Sequence, residues 1–166
     1  MPSIVLEGRQ KITPFLWYND SAEEAMQLYT SLFPNARIGS INRYGKGMAF
    51  PEGTLFTGTF YVGEQEFMVI NGGPHFQFTP AVSLFVRCAD QAEVDYLWEH
   101  LLANGGKEER CGWLRDKFGL TWQIIPDLLG ELLGDKDPVK SGRVMQAMMQ
   151  MVKLDCEALQ KAYDGV

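Results

Sequence analysis

The sequence predicts an α+β domain built from a duplicated unit, with helices packed outside a curved sheet. Three observations predict this fold. The tetrapeptide DSAE at residues 20–23 recurs as DQAE at residues 90–93. Each copy follows a short apolar run and opens an amphipathic segment whose apolar residues have helical spacing. Strand-like runs separated by turns then follow each segment.

The first half reads as a strand, a helix and three further strands. Residues 12–18 (ITPFLWY) are the first apolar run. Asp20, with a glutamate three residues later, is placed to cap the free backbone N–H groups of the following helix, which ends at residues 33–35 (FPN). We expect strands at residues 37–44, 54–62 and 66–71, with a tight turn at Gly63 and Glu64.

The second half repeats this order with shorter strands. Residues 81–88 (AVSLFVRC) are the first strand, Asp90 caps the helix, and residues 104–106 (NGG) end it. We expect strands at about residues 109–114 and 120–125, joined by a turn at residues 116–119. The chain is expected to be one domain over residues 1–166, with a first module at 10–75, a second at 80–126 and a helical segment at 127–166. Within that segment, residues 143–151 are helical and Asp155 caps a last short helix.

Composition and charge narrow the function classes. The chain has 166 residues, of which 46% are hydrophobic and 22% charged, as in globular proteins. Its 15 basic and 21 acidic residues give a net charge of -6, which argues against a nucleic-acid partner. No apolar run is long enough to span a membrane, and residues 1–7 are too short and too acidic for a secretory signal. Three widely spaced cysteines without a CxxC pair indicate reduced thiols, so we expect a cytoplasmic protein.

Several stretches carry a family resemblance. They are residues 12–17 (ITPFLW), 22–25 (AEEA), 29–34 (YTSLFP), 71–76 (NGGPHF), 91–95 (QAEVD), 111–119 (CGWLRDKFG), 122–126 (WQIIP) and 146–155 (QAMMQMVKLD). Through them, about residues 10–164 resemble the PhnB-like group of the vicinal-oxygen-chelate superfamily, whose domain is often labelled 3-demethylubiquinone-9 3-methyltransferase. The resemblance implies the glyoxalase / bleomycin-resistance / dihydroxybiphenyl-dioxygenase fold: two βαβββ modules, each contributing a cupped sheet around a pocket.

The resemblance also implies where a divalent metal would be held. Enzymes of the superfamily place one ligand on the first strand and one on the last strand of each module, typically two histidines and two glutamates. Residues 13–18, 67–70 and 81–86 contain no histidine, cysteine, aspartate or glutamate, and residues 120–125 offer only Gln123. Because a catalytic site needs about three nitrogen or charged oxygen ligands, we expect no cofactor and no divalent metal. A metal centre would otherwise require His75 together with a carboxylate such as Asp116.

Three residues are weak candidates for catalysis. Cys111 lies near Arg115 and Lys117, whose charges can lower a thiol pKa, but no histidine has a motif-defined relation to it. His75 lies in the loop that joins the modules, and Asp116 opens a predicted turn. A structural thiol and a turn carboxylate are the alternative interpretations.

Aromatic and amide side chains on the strands predict a ligand pocket. A mostly apolar cavity with a few convergent polar groups is typical of small-molecule sites. The alternative is that these side chains only fill the core. The predicted pocket residues are Phe15, Trp17, Phe67, Asn71, Trp113, Trp122 and Gln123.

We therefore expect a protein that binds a small, aromatic or hydrophobic molecule without a catalytic metal. The alternative is an enzyme of the same superfamily, such as a lyase, an isomerase or a dioxygenase-like protein, with or without the assistance of a metal. The labelled methyl transfer is the least favoured function, because no strand is followed by the glycine-rich loop and helix of a class I methyltransferase. We also expect a homodimer, with the methionine-rich residues 144–152 at the contact or in the core.

Overall fold

The computed structural model describes residues 11–166, so the expectation about residues 1–7 lies outside the described part of the chain. The chain divides into two compact units, the first ending at Gln77 and the second running from Phe78 to Val166. Within residues 11–166, the helices are all too short or too polar to cross a membrane.

The first unit is a four-stranded sheet with one helix. Its elements are β1 (Phe15–Tyr18), α1 (Ala22–Leu32), β2 (Arg37–Arg43), β3 (Leu55–Val62) and β4 (Gln65–Asn71). The strand order is β1-β4-β3-β2, with β1 parallel to β4 and the other pairs antiparallel. The turn between β3 and β4 is the predicted one, with Gly63 at φ 57.

The second unit repeats this βαβββ connectivity. Its elements are β5 (Ser83–Cys88), α2 (Gln91–Leu102), β6 (Lys107–Glu108), β7 (Trp113–Arg115) and β8 (Thr121–Pro126), in the order β5-β8-β7-β6. Of the strand predicted at residues 109–114, only Trp113 and Leu114 belong to a strand, β7, while β6 lies just before the predicted range. Cys111 and Gly112 have φ values of 60 and 79, and their N–H groups donate to the carbonyls of Met151 and Val152. The Gly112 carbonyl still accepts the N–H of Ile124 on β8 at 2.8 Å, so the stretch is an irregular segment beside the sheet and not a continuous strand.

Three helices follow β8 and build a second small core. They are α3 (Asp127–Leu133), α4 (Pro138–Gln150) and α5 (Cys156–Asp164). Their buried residues are Leu129, Leu132, Val144, Leu154 and Leu159, with Met148 and Met151 packed against them. The predicted cap of α5 is confirmed, because the Asp155 carboxylate accepts the N–H of Ala158 at 2.9 Å.

Each sheet has one crossover helix, and that helix covers one face. Helix α1 lies directly over β3, where a Cβ on Gly58 would lie 2.9 Å from the Met26 sulfur. Helix α2 buries Val94, Leu97, Trp98 and Leu101 and contacts β7 and β8. Side chains alternate between the two faces of a strand, so every second residue points away from the crossover helix. We call the side of each sheet opposite its crossover helix the far face.

The two crossover helices are capped differently. At α2 the prediction is confirmed, because Asp90 accepts the N–H of Glu93 and the Glu93 carboxylate accepts the N–H of Ala89. At α1 the expected cap by Asp20 is replaced. The residue at the cap position is Ser21, whose side chain makes no capping bond, and the N–H of Ala22 donates instead to the Asn71 side chain at 2.8 Å.

Asn71 therefore joins three elements of the first unit. Its side chain is 1% exposed, accepts from Ala22 at the start of α1, and donates to the carbonyl of Leu55 on β3 at 3.0 Å. Its backbone carbonyl accepts the Tyr44 hydroxyl at 2.6 Å. A buried amide with both ends bonded fixes the distance between the strands and the helix.

Replacing Asn71 by alanine should lower the free energy of unfolding by about 2–3 kcal/mol, since it removes a helix cap and leaves a buried carbonyl without its donor. Urea unfolding followed by circular dichroism measures this. The control is Asn42→Ala, which removes an exposed amide bonded to Thr57 and should change stability by less than about 0.5 kcal/mol. Equal effects of the two substitutions would contradict the structural role of Asn71.

Candidate functional site

The predicted pocket residues separate onto the two faces of the sheets. Phe15, Trp17, Trp113 and Gln123 lie on the far faces, and Phe15 is 49% exposed. Phe67, Asn71 and Trp122 lie on the helix-covered faces and are 7%, 1% and 3% exposed. Four of the seven residues can therefore meet a ligand on a far face, and three belong to the core.

Strand alternation explains why three predicted pocket residues are buried in the core. The Phe67 ring stacks on Phe60 at 4.8 Å on the face that α1 covers. The Trp122 indole donates to the Asp116 carboxylate at 3.0 Å beneath α2. An amphipathic strand with aromatic residues on both faces does not reveal from its sequence which face the helix will cover.

Trp17 lies on the far face of the first unit but is held by the segment that follows β4. Its indole N–H donates to the Gly73 carbonyl at 2.8 Å, and a Cβ on Gly72 would lie 2.1 Å from its ring. Phe76 meets the ring edge-on at 5.0 Å. In the motif at residues 71–73, Asn71 thus caps α1, and Gly72 and Gly73 contact Trp17 and fix its position.

The far face of the second unit presents an amide between two aromatic rings. Gln123 on β8 pairs with Phe85 on β5 and with Trp113 on β7, so the three side chains form one row across the sheet. Phe85 is 58% exposed. The Gln123 amide donates to the Ser83 hydroxyl at 2.8 Å. We call Phe85, Gln123, Trp113 and Ser83 the amide row.

A buried hydroxyl lies beside the amide row. Thr121 pairs with Ser83 across the strands, is 0% exposed, and its hydroxyl makes no hydrogen bond to any of the residues 11–166. A buried polar group without a partner costs about 1–3 kcal/mol, and native proteins contain few of them. Sequence reasoning did not single out Phe85, Ser83 or Thr121, although the alternation along β5 and β8 places them beside Gln123.

The far face of the first unit carries a carboxylate that sequence reasoning missed. Strand β4 begins at Gln65, so Glu66 lies within the strand and points to the far face. Its carboxylate accepts the Tyr61 hydroxyl at 2.7 Å and the Thr13 hydroxyl at 3.4 Å. This hydrogen bond to a carboxylate raises the pKa of Tyr61, and the Arg37 guanidinium lies 3.9 Å from the Tyr61 ring centre.

Two of the candidate catalytic residues, Asp116 and Cys111, have contacts that give them a structural role. The Asp116 carboxylate is 3% exposed and accepts the N–H groups of Phe118 and Leu120 as well as the Trp122 indole. Cys111 is half-buried at the point where the backbone bonds to Met151. A carboxylate with three donors orders the turn before β8, which is a structural role.

Neither histidine joins a cluster of reactive groups. His75 is exposed in the loop after β4. His100 is exposed on α2, where its ring nitrogen lies 2.7 Å from the Tyr96 carbonyl. Within the described chain, no three histidine, cysteine, aspartate or glutamate side chains gather in a way that could hold a metal ion.

The donor set on the first and last strands does not fit a divalent metal centre. In the second unit these strands bring together Ser83 and Gln123, which are neutral and bonded to each other. In the first unit the last strand supplies one carboxylate, Glu66, which accepts the hydroxyl of Thr13, two residues before β1. Divalent centres in proteins use about three nitrogen or charged oxygen ligands.

Comparisons with known proteins identify relatives for most of the chain. The family model described as 3-demethylubiquinone-9 3-methyltransferase matches residues 10–125. A PhnB protein from Bacillus cereus, described by the same enzyme name, is 41% identical and superposes with a TM-score of 0.66, covering 70% of this chain and 99% of that one. Protein PA1353 from Pseudomonas aeruginosa is 19% identical with a TM-score of 0.59, covering 71% and 98%.

A glyoxalase/bleomycin resistance protein from Albidiferax ferrireducens is 18% identical with a TM-score of 0.44, covering 68% of this chain and 95% of that one. No curated protein matches the chain. The matched residues contain both βαβββ modules, and α3, α4 and α5 follow the matched region.

The Cys88 thiol, in the second unit, gives the protein's stability a measurable pH dependence. Burial, together with the negative charges of Glu93 and Asp127, raises its pKa from 9.0 to about 12. Between those values the folded state keeps a proton that the unfolded state releases, so stability is lost as pH rises from 9 towards 12. The slope from this one group is about 1.4 kcal/mol per pH unit.

We expect Cys88→Ala to unfold with a shallower loss of stability between pH 9 and pH 11 than the wild type. Urea titrations at half-unit pH steps measure the slope. Ser31→Ala, which removes an exposed side chain that does not titrate, should keep the wild-type slope. A Cys88→Ala slope equal to that of the wild type would contradict the buried, protonated thiol.

Proposed function

We propose that this protein binds a small molecule without a catalytic metal. The chain belongs to the 3-demethylubiquinone-9 3-methyltransferase family. This family is a PhnB-like group of the vicinal-oxygen-chelate superfamily and has the glyoxalase / bleomycin-resistance fold. The ligand lies on the far face of the second unit, against the amide row. The proposed ligand has an apolar or aromatic body and at least one hydrogen-bonding group.

The observation that carries the proposal is the chemistry of the amide row. Gln123 offers an amide carbonyl and amide N–H between the Phe85 and Trp113 rings, which is the usual combination of apolar walls and a few polar groups. The partnerless hydroxyl of Thr121 lies next to this row. A ligand that supplies a hydrogen bond there would remove the cost of an unpaired buried group.

The neutral donor set supports binding without a metal. A superfamily metalloenzyme places charged or imidazole ligands on its first and last strands, whereas this chain places Ser83 and Gln123 there, 2.8 Å apart. Two neutral groups already bonded to each other attract a divalent cation weakly. They are better suited to orienting a neutral polar group of an organic ligand.

Methyl transfer, which the family name mentions, receives no support from the described sheets. A class I methyltransferase uses a doubly wound parallel sheet with a glycine-rich loop after its first strand. Both sheets here are mixed, and within residues 11–166 only β1 with β4 and β5 with β8 run parallel.

The alternative function is that of an enzyme of the same superfamily. Its acid or base would be Glu66, so loss of a measured turnover in Glu66→Gln would favour this alternative.

The proposal includes a cytoplasmic homodimer. The acidic charge and the three unpaired cysteines support the location. On α4, Met145 and Met149 are one turn apart and 42% and 54% exposed, and Val152 beyond the helix is 41% exposed. This apolar strip supports contact with a second copy, while Val144 faces the core.

Benzamide serves as a probe of the amide row, because it combines one ring with a neutral amide. We expect it to shift the backbone NMR signals of Phe85 and Gln123 with a saturable, millimolar affinity that a chelator leaves unchanged. Gln123→Leu should weaken binding at least about fivefold, since it removes about one hydrogen bond at similar volume. Gln146→Leu, at an exposed glutamine on α4, should bind as the wild type does.

Two outcomes would contradict the proposal. One is the absence of any shift on the far face of the second unit. The other is loss of binding in the presence of chelator, which would indicate a metal-dependent site.

Sedimentation equilibrium tests the dimer. We expect a mass of twice 18.7 kDa for the wild type and a shift towards the single-chain mass for Met149→Lys, because a charge in a buried apolar contact is costly. Gln146→Lys, on the same helix, should leave the mass unchanged. A wild type that sediments as a single chain at high concentration would refute the dimer.

A further inference from the structure

A cavity lies where the sheet of the second unit meets α3. Its volume is about 290 Å³, and its lining residues are Phe85, Arg87, Ile125, Pro126, Asp127 and Gly130. Asp127 and Gly130 belong to α3, which follows the residues matched by the family model. The helical segment after the matched region therefore supplies one wall, and this wall distinguishes the cavity from the amide row, which lies on the strands of the second unit.

The floor and one side of the cavity are apolar. Phe85 and Ile125 point from the far face, and the Phe85 ring is 58% exposed, which is costly for an aromatic side chain on a strand. A Cβ added to Gly130 would meet no atom within 4 Å, so the mouth of the cavity is open beside α3. The volume is at the small end for ligand sites, which suits a single ring.

The polar side of the cavity is an arginine with unused donors. Arg87 Nε donates to Asp127 Oδ1 at 2.8 Å. Among the described residues, nothing bonds to the two terminal nitrogens of this guanidinium, whose side chain is 76% exposed. Asp127 fixes one edge of the guanidinium, and the planar fork of terminal N–H groups is left to receive a carboxylate with two parallel hydrogen bonds.

We propose that this cavity is a binding site for a small aromatic carboxylate. The ring lies against Phe85, Ile125 and Pro126, and the carboxylate bonds to the terminal nitrogens of Arg87. The Asp127 carboxylate neutralises part of the arginine charge, so the site suits a monoanion and not a dianion. The site shares Phe85 with the amide row but does not depend on the proposed function, because neither Gln123 nor Ser83 lines it.

Benzoate and benzamide, which differ in charge and have nearly the same shape, test the proposal. Titrations are followed by NMR on the wild type, Arg87→Gln and Gln123→Leu, with Arg110→Gln as the control at an exposed arginine of the same unit. We expect benzoate to shift the signals of Arg87 and Gly130 and to bind at least tenfold more weakly to Arg87→Gln. Arg110→Gln and Gln123→Leu should bind benzoate within about twofold of the wild type.

A second variant fills the cavity from its open side. Gly130→Val places a branched side chain where no atom lies within 4 Å, so the fold has room for it while the ligand does not. We expect it to weaken benzoate binding at least tenfold with the NMR spectrum of the rest of the unit preserved.

Three results would overturn the proposal. They are no benzoate shift at Arg87 in the wild type, equal benzoate affinity of Arg87→Gln and the wild type, and tighter binding of benzylamine than of benzoate. Benzoate binding that survives in Gln123→Leu while benzamide fails to bind the amide row would uphold this site and reject the proposed function. Benzamide binding to the amide row in a protein that does not bind benzoate at Arg87 would uphold the proposed function and reject this site.

Discussion

The structure depends on one constraint: each four-stranded sheet has a single crossover helix and therefore a single covered face. The βαβββ connectivity brings the last strand of each module back beside its first strand, parallel to it, so α1 and α2 each lie on one side. Strand alternation then divides every strand into packing residues and far-face residues. Leu16, Phe60 and Val69 are packing residues of the first unit. The strand side chains that are free to meet a ligand come mainly from the other set, to which Trp17, Phe85 and Gln123 belong.

Two buried polar side chains enforce this arrangement. Asn71 links the start of α1 to β3, and Asp116 holds the turn before β8 through two backbone N–H groups and the Trp122 indole. Both lie in motifs with the composition of functional sites, since asparagine and aspartate beside glycine are typical of binding loops. Their full set of hydrogen bonds shows that their role is to position strands. Buried polar groups with satisfied bonds specify one packing arrangement, and unsatisfied ones such as Thr121 indicate where another group could enter.

The sequence was sufficient to predict the fold, because the repeat, the apolar runs and the turn at Gly63 are local signals. The cap of α2 by Asp90 is equally local. The cap of α1 was not predictable in this way, because Asn71 lies forty-nine positions after the N–H that it accepts. The same holds for Cys111, whose conformation follows from bonding to Met151 near the end of the chain.

The candidate site was predicted only in part, for a related reason. Periodicity shows that a strand has two faces but not which face the helix covers, so Phe67 and Trp122 could not be separated from Phe15 and Trp113. Glu66 was missed although it lies in the predicted strand 66–71, because only the apolar residues 67–70 were taken as inward-facing positions. The cavity beside Gly130 required the position of α3, which no local pattern supplies.

The central claim is that this member of the family binds an organic molecule with neutral strand residues and without a divalent ion. Native mass spectrometry of protein purified without chelator and without added metal tests it most directly. We expect the polypeptide mass without stoichiometric metal, with an organic adduct where the ligand is retained, and loss of that adduct in Gln123→Leu. A divalent metal bound in stoichiometric amount to the wild type would contradict the account and return the chain to the metal-dependent members of its superfamily.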